Sequence, residues 1–265
     1  MSPWERLLEK PQARGHFLQL YRPSEEAPLI RNVGLYLSQG LERGEGGVVI
    51  ATEAHCKAFQ SELDATGTDS TTAVREKRLL FLDAEETLAQ FTHSGNLDWD
   101  AFERTITSAL GRVECTGRPP RVRAYGEMVG LLWNAGQRAT AARLEQFWNR
   151  LLTRCSFALF CAYEIDVLSP EFRARALDSI LCTHTHFLPS GSGRLGTALH
   201  RAMDSVLGAK AERIRALIRA NQKSSWALMP EAERAILWLR QNLPEQSEDI
   251  VALTRAQLDL QTQPA

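Results

Sequence analysis

An alternation of short apolar runs with longer segments of helical periodicity constrains the fold of this chain more than any other feature. Most of the apolar runs lack a polar–apolar alternation, which is typical of strands that are covered on both faces. Five such runs predict strands, at 16–21, 47–52, 78–84, 121–127 and 157–163. Between them lie four segments of helical pattern, at 27–44, 53–67, 98–112 and 136–154.

This alternation predicts an α/β fold. A strand followed by a helix and a second strand forms a right-handed crossover, and repetition of that unit builds a mostly parallel sheet flanked by helices. We expect at least five strands, with 28–43 and 136–154 as long helices against the sheet. We also expect the strand ending at Tyr21 to lie centrally, directly beside the strand ending at Glu127.

The C-terminal part of the chain differs, because helical periodicity continues there without a strand pattern. A turn-rich segment at 189–193 predicts a flexible connection, so we place a domain boundary near 190, between an α/β domain at 14–190 and a helical region at 195–265. The second helix of this region is predicted to open at Pro230 and the third at Ser247, its expected N-cap. The first carries an apolar stripe of Leu199, Met203, Val206, Leu207, Ile214, Leu217 and Ile218.

Composition and charge argue against several classes of protein. The net charge is −1 and 44% of the residues are hydrophobic, so no global positive field attracts nucleic acid or an anionic membrane. The N-terminal segment lacks the apolar run of a signal peptide, and the longest apolar run, 157–163, is too short to span a membrane. An odd number of cysteines without CxxC spacing favours a reducing compartment, and we expect a cytoplasmic protein.

A basic run on the first C-terminal helix is a candidate surface for nucleic acid. It consists of Lys210, Arg213, Arg215, Arg219 and Lys223, with Glu212 as the acid among them. A single basic helix face is usually only solvated, and no helix-turn-helix pattern accompanies it. We therefore expect the C-terminal helices to contact a signalling protein or a second copy of the chain, rather than nucleic acid.

The segment 34–55 resembles the first helix and second strand of a RecA-type ATPase. In such an ATPase the preceding residues form a GxxxxGK[ST] loop, whose backbone N–H groups and lysine surround the phosphates. Here that place has no lysine, Pro23 and Pro28 remove two N–H donors, and two adjacent glutamates repel phosphate. The strand at 121–127 ends in Glu127 instead of a magnesium-binding aspartate. ATP hydrolysis by the standard mechanism is therefore not expected, and no cofactor is predicted.

An ordered set of short motifs resembles the MEDS domain, a sensory domain named for methanogens and methylotrophs and a degenerate relative of the RecA and KaiC ATPases. The resemblance covers roughly 14–190 and implies a RecA-like fold and a role as a signal-input module that senses a small molecule in bacterial regulation. Two histidines of one motif compete for a single family position. The motifs are His16, "GLERGE" (40–45), "RAYGEM" (123–128), "EQFWN" (145–149), "CAY" (161–163) and "CTHTH" (182–186).

Polar residues set in apolar strands are the candidate ligand-binding residues. A buried charge is costly unless it is paired, so each of them forms either an internal network or part of a ligand site. Glu127 and Tyr163 end their strands, where open α/β sheets bind ligands. We expect Glu127 to be buried with a hydrogen-bonding partner from another segment. The full set is His16, Arg123, Glu127, Tyr163, His184 and His186.

Metal binding is an alternative for part of this set. In a strand, Cys182, His184 and His186 would point to one face and, with Cys161 nearby, could hold zinc or copper. This spacing is uncommon for structural zinc and no CxxC or HxxxH supports it, so the prediction is no metal. Cys161 lies among apolar residues, which favours an inert core thiol over a redox sensor.

Two classes of function compete. The favoured one is a non-enzymatic signal-input module whose helical C-terminal region converts ligand binding into a contact with a protein partner or a second subunit. The alternative is a nucleotide-binding RecA- or KaiC-like ATPase with an atypical phosphate site. The prolines and glutamates around 22–28 favour the first, and no catalytic residue is predicted.

Overall fold

A computed structural model describes residues 3–22, 24–117, 121–190, 194–221 and 226–260. The strands are β1 (His16–Tyr21), β2 (Gly46–Ala51), β3 (Leu79–Asp83), β4 (Thr92–His93), β5 (Asn96–Leu97), β6 (Val122–Gly126), β7 (Phe157–Glu164) and β8 (His186–Leu188). The helices of the α/β part are α1 (Pro3–Glu9), α2 (Ala27–Glu42), α3 (Glu53–Ala65), α4 (Ser70–Arg75), α5 (Ala84–Ala89), α6 (Trp99–Gly111), α7 (Met128–Asn134), α8 (Arg138–Arg154) and α9 (Ala174–Thr183). None of the helices in these ranges is long and apolar enough to cross a membrane.

Six of the strands form one parallel sheet in the order β3-β2-β6-β7-β1-β8, while β4 and β5 form a small antiparallel hairpin. The α/β fold with a parallel sheet flanked by helices is thus confirmed. The predicted long helices at 28–43 and 136–154 correspond to α2 and α8. Local signals fix several helix starts: for example, the Asp98 carboxylate accepts a 2.8 Å hydrogen bond from the Ala101 N–H at the start of α6.

The predicted pairing of β1 with β6 is wrong, because β7 lies between them and pairs with both. The predicted central place of β1 is also wrong, since β1 lies next to the edge strand β8. β7 is the longest strand, and its residues from Phe157 to Tyr163 are all buried. An apolar strand with covered faces is most stable when neighbours on both sides satisfy its backbone, so β7 takes the inner position. The order of the strands in the sheet cannot be predicted from the apolar runs, because strands that pair are distant along the chain.

Each face of the sheet is covered by its own apolar layer. On β1, Leu18 and Leu20 point to one layer while Phe17 and Tyr21 point to the other. The first layer includes side chains of α6, α7, α8 and α9, and the second includes side chains of α1, α2 and α3. The strands read as continuously apolar because both of their faces are buried in this way.

The C-terminal helices are α10 (Arg194–Leu207), α11 (Ala211–Ala220), α12 (Glu231–Asn242) and α13 (Pro244–Leu260), with a 3-10 turn at Gly208–Lys210. The predicted first helix is therefore two helices, because the chain breaks at Gly208, whose φ of +53° lies in the left-handed region. The third helix begins at Pro244, not at Ser247. A proline suits the first helical turn, and the buried Ser247 hydroxyl donates back to the Pro244 carbonyl.

Main-chain hydrogen bonds join the C-terminal region to the sheet. The Phe187 N–H of β8 donates to the Leu228 carbonyl at 2.8 Å, and the Leu228 N–H donates to the Thr185 carbonyl at 2.9 Å. The Arg240 guanidinium of α12 donates to carbonyls in the segment between β7 and α9, those of Leu168, Ser169 and Phe172. Residues 191–193 of the predicted flexible connection lie outside the described residues.

The basic run on the C-terminal helices has acidic partners. Arg215 pairs with Asp204 and Glu212, and Arg219 pairs with Glu212. Lys223 of the predicted run lies outside the described residues. Paired arginines on an exposed face offer less free positive charge to nucleic acid than the sequence pattern alone suggested.

Candidate functional site

Two groups of polar side chains lie at the sheet. One, the Glu127 crevice, lies at the carboxyl ends of the strands around Glu127 and His55. The other, the His16 cluster, is buried and consists of His16, Glu145, Cys161 and His184. The two groups differ in access: the crevice contains a cavity, whereas the cluster is enclosed by the core.

The Glu127 crevice is a cavity of about 230 Å³ that opens between the carboxyl ends of β1, β2, β6 and β7. Its position is that of the ligand site in many open parallel sheets. Its walls come from the ends of these strands, the N-cap of α2, the first two turns of α3 and one face of α7. The lining residues are Tyr21, Glu26, Thr52, Ala54, His55, Ala58, Glu127, Gly130, Leu131, Asn134, Ala162 and Glu164.

Glu127 follows β6 directly and is held by three donors. Its carboxylate accepts hydrogen bonds from the Thr52 N–H, from His55 Nδ1 at 2.6 Å and from the Tyr125 hydroxyl at 3.0 Å. The residue is buried, and both Thr52 and His55 belong to another segment. The prediction that Glu127 is buried with a partner from another segment is confirmed. An anchored carboxylate of this kind presents a fixed negative charge at the base of the cavity.

His55 is positioned by the start of α3, where the Thr52 hydroxyl accepts a hydrogen bond from the His55 N–H. Burial pulls the pKa of His55 down, but the hydrogen bond and charge of Glu127, with the charge of Glu26, outweigh it and raise the pKa above 6.5. His55 Nε2 lies 3.7 Å from a carboxylate oxygen of Glu26. The imidazole therefore joins two acids, and its protonated form is favoured there.

Negative charge dominates the crevice. Burial, together with the charges of Glu127, Glu164 and Glu26, raises the pKa of Tyr21 far above its usual value. Glu26 occupies the N-cap position of α2, with Pro28 in the first helical turn. A phosphate loop would place an anion at this helix start, but here a carboxylate stands in that place. Pro23, the other proline of the sequence argument, lies outside the described residues.

Arg123 lies at the opposite end of the sheet from Glu127, so the structure does not bring these two predicted residues together. Its buried guanidinium pairs with Glu45 and donates to the carbonyls of Leu8, Glu9 and Tyr36. A Cβ added at Gly40 would come within 2.6 Å of the Arg123 Cδ, so this glycine makes room for the side chain. Residues of the "GLERGE" and "RAYGEM" motifs are thus in direct contact, since Arg123 pairs with Glu45 and packs against Gly40.

The His16 cluster brings together four elements: the start of β1, the middle of α8, the centre of β7 and the residue after α9. His16 Nε2 lies 3.4 Å from the Cys161 sulfur and 3.4 Å from Glu145 Oε2. His184 Nε2 lies 3.5 Å from Glu145 Oε1, and the two imidazole rings are 4.0 Å apart. Two of the predicted ligand-binding residues, His16 and His184, are members of this cluster. A third, Tyr163, contacts it, because its hydroxyl donates to Glu145 at 2.5 Å.

Burial favours the uncharged forms of the ionisable groups in this cluster. It lowers the pKa of His16 to about 4, against the opposing effect of hydrogen bonds to Asn149 and Thr183. Burial likewise lowers the pKa of His184 well below its usual value, with a smaller contribution from His16. It raises the pKa of Glu145 to about 8, although the hydrogen bond from Tyr163 acts in the other direction. Charge in this place is therefore costly unless a counter-charge compensates it.

The predicted strand placement of Cys182, His184 and His186 is wrong. Helix α9 continues through Thr183, and β8 starts only at His186. Cys182 is consequently exposed on the helix, His184 is buried in the cluster, and His186 packs beside Phe17 at a ring distance of 5.8 Å. The apolar periodicity of α9, with Leu177, Ile180 and Leu181 buried, keeps this segment helical. Of the two histidines that compete for the motif position, His184 is the one that joins the cluster.

Sequence reasoning missed two residues of these sites. The sequence around His55, the partner of Glu127, shows only a histidine in the first turn of a helix that follows a strand, which is weak evidence for a site. The sequence evidence for Glu145 is stronger, because this acid lies between Leu144 and Trp148 on the buried face of α8. An acid on the apolar face of a helix indicates a buried partner.

A family profile described as "MEDS: MEthanogen/methylotroph, DcmR Sensory domain" matches residues 15–185, more than half of the chain. The chain belongs to the MEDS family. The matched region includes every residue of the His16 cluster and the Glu127 and His55 pair. No curated protein matches the chain. Membership of the MEDS family makes this domain a signal-sensing module.

Proposed function

We propose that this MEDS domain is a non-enzymatic signal-input module that binds a small molecule in the Glu127 crevice. The observation that carries the proposal is the cavity of about 230 Å³ at the carboxyl ends of the strands, with an anchored carboxylate at its base, in a domain of a sensory family. Parallel sheets place ligand sites at these strand ends because loops and helix starts converge there. A cavity of this size fits a small molecule.

The charges around the cavity define the ligand chemistry. Glu26, Glu127 and Glu164 all line the cavity, and His55 is already paired with two of them. Such a site favours a neutral or cationic ligand that donates hydrogen bonds, and it repels phosphate. The acidic start of α2 is the feature that supports sensing over nucleotide hydrolysis.

The second half of the proposal is that the C-terminal helices relay the ligand-bound state to a signalling partner or a second copy of the chain, in bacterial regulation in the cytoplasm. The large hydrophobic side chains that are exposed in the described residues support this. All of them except Val74 belong to the C-terminal region: Leu217, Leu228, Leu253 and Leu260. Three of them, Leu217, Leu253 and Leu260, lie on α11 and α13 and offer apolar surface to another protein.

Thermal stability in the presence of candidate ligands tests the crevice. The probes are small alcohols, primary amines and quaternary ammonium compounds, with ATP and Mg²⁺ as the comparison. A ligand at hundredfold excess over its Kd stabilises by about 2.7 kcal/mol, so we expect Tm to rise by roughly 5–10 °C with a neutral or cationic probe. ATP with Mg²⁺ is expected to leave Tm unchanged.

Glu127→Gln is the variant that links the effect to the crevice, because it keeps the shape and removes the charge. We expect it to abolish the ligand-dependent rise. The matched control is Glu171→Gln, which changes an exposed glutamate paired with Arg138 outside the cavity. A large Tm rise with ATP and Mg²⁺, or a ligand response unchanged in Glu127→Gln, contradicts the proposal.

A further inference from the structure

Four side chains with metal-ligating atoms converge on one point inside the protein. One ligand atom from each of His16, Glu145, Cys161 and His184 lies within 4.8 Å of the other three. Zinc bonds of 2.0–2.3 Å in a tetrahedral site separate the ligand atoms by about 3.3–3.8 Å. His16 Nε2 lies at that distance from both the Cys161 sulfur and Glu145 Oε2, at 3.4 Å each, and His184 Nε2 lies 3.5 Å from the other oxygen of the same carboxyl group.

Backbone carbonyls fix the orientation of both imidazoles. His16 Nδ1 donates to the Thr183 carbonyl at 3.0 Å, and His184 Nδ1 donates to the Ile180 carbonyl at 2.7 Å. Because a carbonyl only accepts, each Nδ1 carries the ring proton and each Nε2 is left with its lone pair. Both lone pairs lie beside the Glu145 carboxyl group, whose ionised form offers only acceptors.

Hydrogen bonds do not satisfy this arrangement. Within the described residues, His184 Nε2 and Glu145 Oε2 are buried without a hydrogen-bond partner. An unsatisfied polar atom in the core is costly, and a cation placed among these atoms would offset that cost. A cation bound by all four groups satisfies both atoms at once.

A second layer of side chains supports the four groups. The Tyr163 hydroxyl donates to Glu145 Oε1 at 2.5 Å. Asn149 Nδ2 donates to the Thr183 carbonyl at 2.8 Å, which turns its Oδ1 toward His16 Nδ1 at 2.9 Å. Metal-binding histidines and carboxylates usually have outer partners of this kind, which orient them.

We propose that His16, Glu145, Cys161 and His184 form a closed tetrahedral site for Zn²⁺ or a divalent cation of similar chemistry. Two imidazoles, a thiolate and a carboxylate suit a borderline cation, whereas Mg²⁺ and Ca²⁺ prefer oxygen ligands alone. Four protein ligands close the coordination sphere, as in structural zinc sites. The proposal does not depend on the Glu127 crevice, because the two sites share no residue.

The site joins elements that are far apart in the chain. His16 begins β1, Glu145 lies in α8, Cys161 lies in β7, and His184 follows α9. Because the four ligands come together only in the folded chain, metal binding adds its free energy to folding. Metal content and stability of the protein are therefore expected to rise together.

Unfolding the full-length chain in denaturant with a chelator and refolding it with Co²⁺ or Zn²⁺ tests the site, because this opens the core to the ion. We expect about one metal ion per chain by elemental analysis. The Co²⁺ form should show the intense visible bands of tetrahedral cobalt and a thiolate-to-cobalt charge-transfer band. Tm should be higher with metal than after refolding in the chelator.

Two pairs of matched variants assign the ligands. Cys161→Ser should lose the charge-transfer band while Cys182→Ser, an exposed cysteine nearby, keeps it. His184→Gln should lose tetrahedral cobalt while His186→Gln, outside the cluster, keeps it. Wild-type protein that refolds with no bound metal and an unchanged Tm overturns the proposal, and so does a charge-transfer band that survives Cys161→Ser. Because the wild-type result alone is decisive, a variant that fails to fold leaves the test intact.

Discussion

The contact between His55 and Glu127 makes the contribution of His55 to the stability of the fold depend on pH. The pKa of His55 is raised in the folded chain, where the attraction of Glu127 outweighs the effect of burial. A raised folded pKa means that protonated His55 stabilises the fold fully below the usual value of 6.5, and that this contribution is lost as pH rises through the folded pKa. The pair of His55 and Glu127 therefore stabilises the fold most under mildly acidic conditions.

We predict that His55→Gln destabilises the chain more at about pH 6 than at about pH 9. Urea unfolding of wild type and variant at both values measures this difference. His93→Gln is the control, since His93 is exposed in the small hairpin. An equal loss of stability at both values would show that the charge of His55 does not stabilise the fold.

At the level of single residues, the sequence predicts which polar side chains are buried better than it predicts which residues they contact. Glu127 could be recognised because a glutamate that ends an apolar strand must be buried and paired. Its partner His55 could not, because the two are brought together only by the pairing of β2 with β6. The same holds for His16 and Glu145, which lie in different motifs and meet only through packing of α8 on the sheet.

At the element scale, Arg123 acts as a joint between α1, α2 and β6. Its guanidinium reaches carbonyls at the end of α1 and within α2 and pairs with Glu45 after α2. Removing one partner from a buried ion pair leaves an uncompensated charge and unsatisfied acceptors. Arg123 therefore ties the end of α1 to the domain, in addition to the apolar packing of Leu8.

Arg123→Met is expected to cost about 3–5 kcal/mol and to expose α1 to proteases. Urea unfolding gives the free energy, and limited proteolysis followed by mass spectrometry locates the first cut. Arg138→Met serves for comparison, because its ion pair with Glu171 is about half exposed and should contribute only about 0–1 kcal/mol. Equal effects of the two substitutions would rule out the joint.

The elements themselves could be predicted from apolar periodicity, because that signal is local. The five predicted strands follow the apolar runs, and the long helices α2 and α8 follow the helical periodicity. The order of the strands in the sheet could not be predicted, because β7 takes its place between β1 and β6 through pairing of segments that are far apart in the sequence. The break at Gly208 was also missed, because an apolar stripe that continues across a glycine looks like one helix.

At the scale of the whole molecule, the sequence predicts two parts with a boundary near 190, yet contacts between them are extensive. Leu228 pairs with the segment at 185–187, and Arg240 donates to carbonyls of the α/β part. Trp226 Nε1 donates to Asp178 of α9 at 2.8 Å. Turn residues in a sequence indicate where a chain bends, but they carry no information about what docks afterwards.

We therefore predict that a fragment of residues 1–190 is less stable than the full chain. Deleting the C-terminal helices removes the partners of buried α9 and β8 side chains and exposes apolar surface. Urea unfolding and circular dichroism of the fragment and the full chain give the comparison. A fragment that unfolds cooperatively at the same urea concentration as the full chain would establish two independent domains and contradict this prediction.

The short backbone pairing between β8 and Leu228 covers part of the outer edge of the sheet. Without that segment, β8 would be an edge strand whose free N–H and C=O groups could pair with an extended segment of another chain. Phe187 and Leu188 would lie next to that edge, and a short apolar edge is a recognised start for aggregation. By covering this edge at Leu228, the C-terminal region reduces the free backbone that β8 offers to another chain.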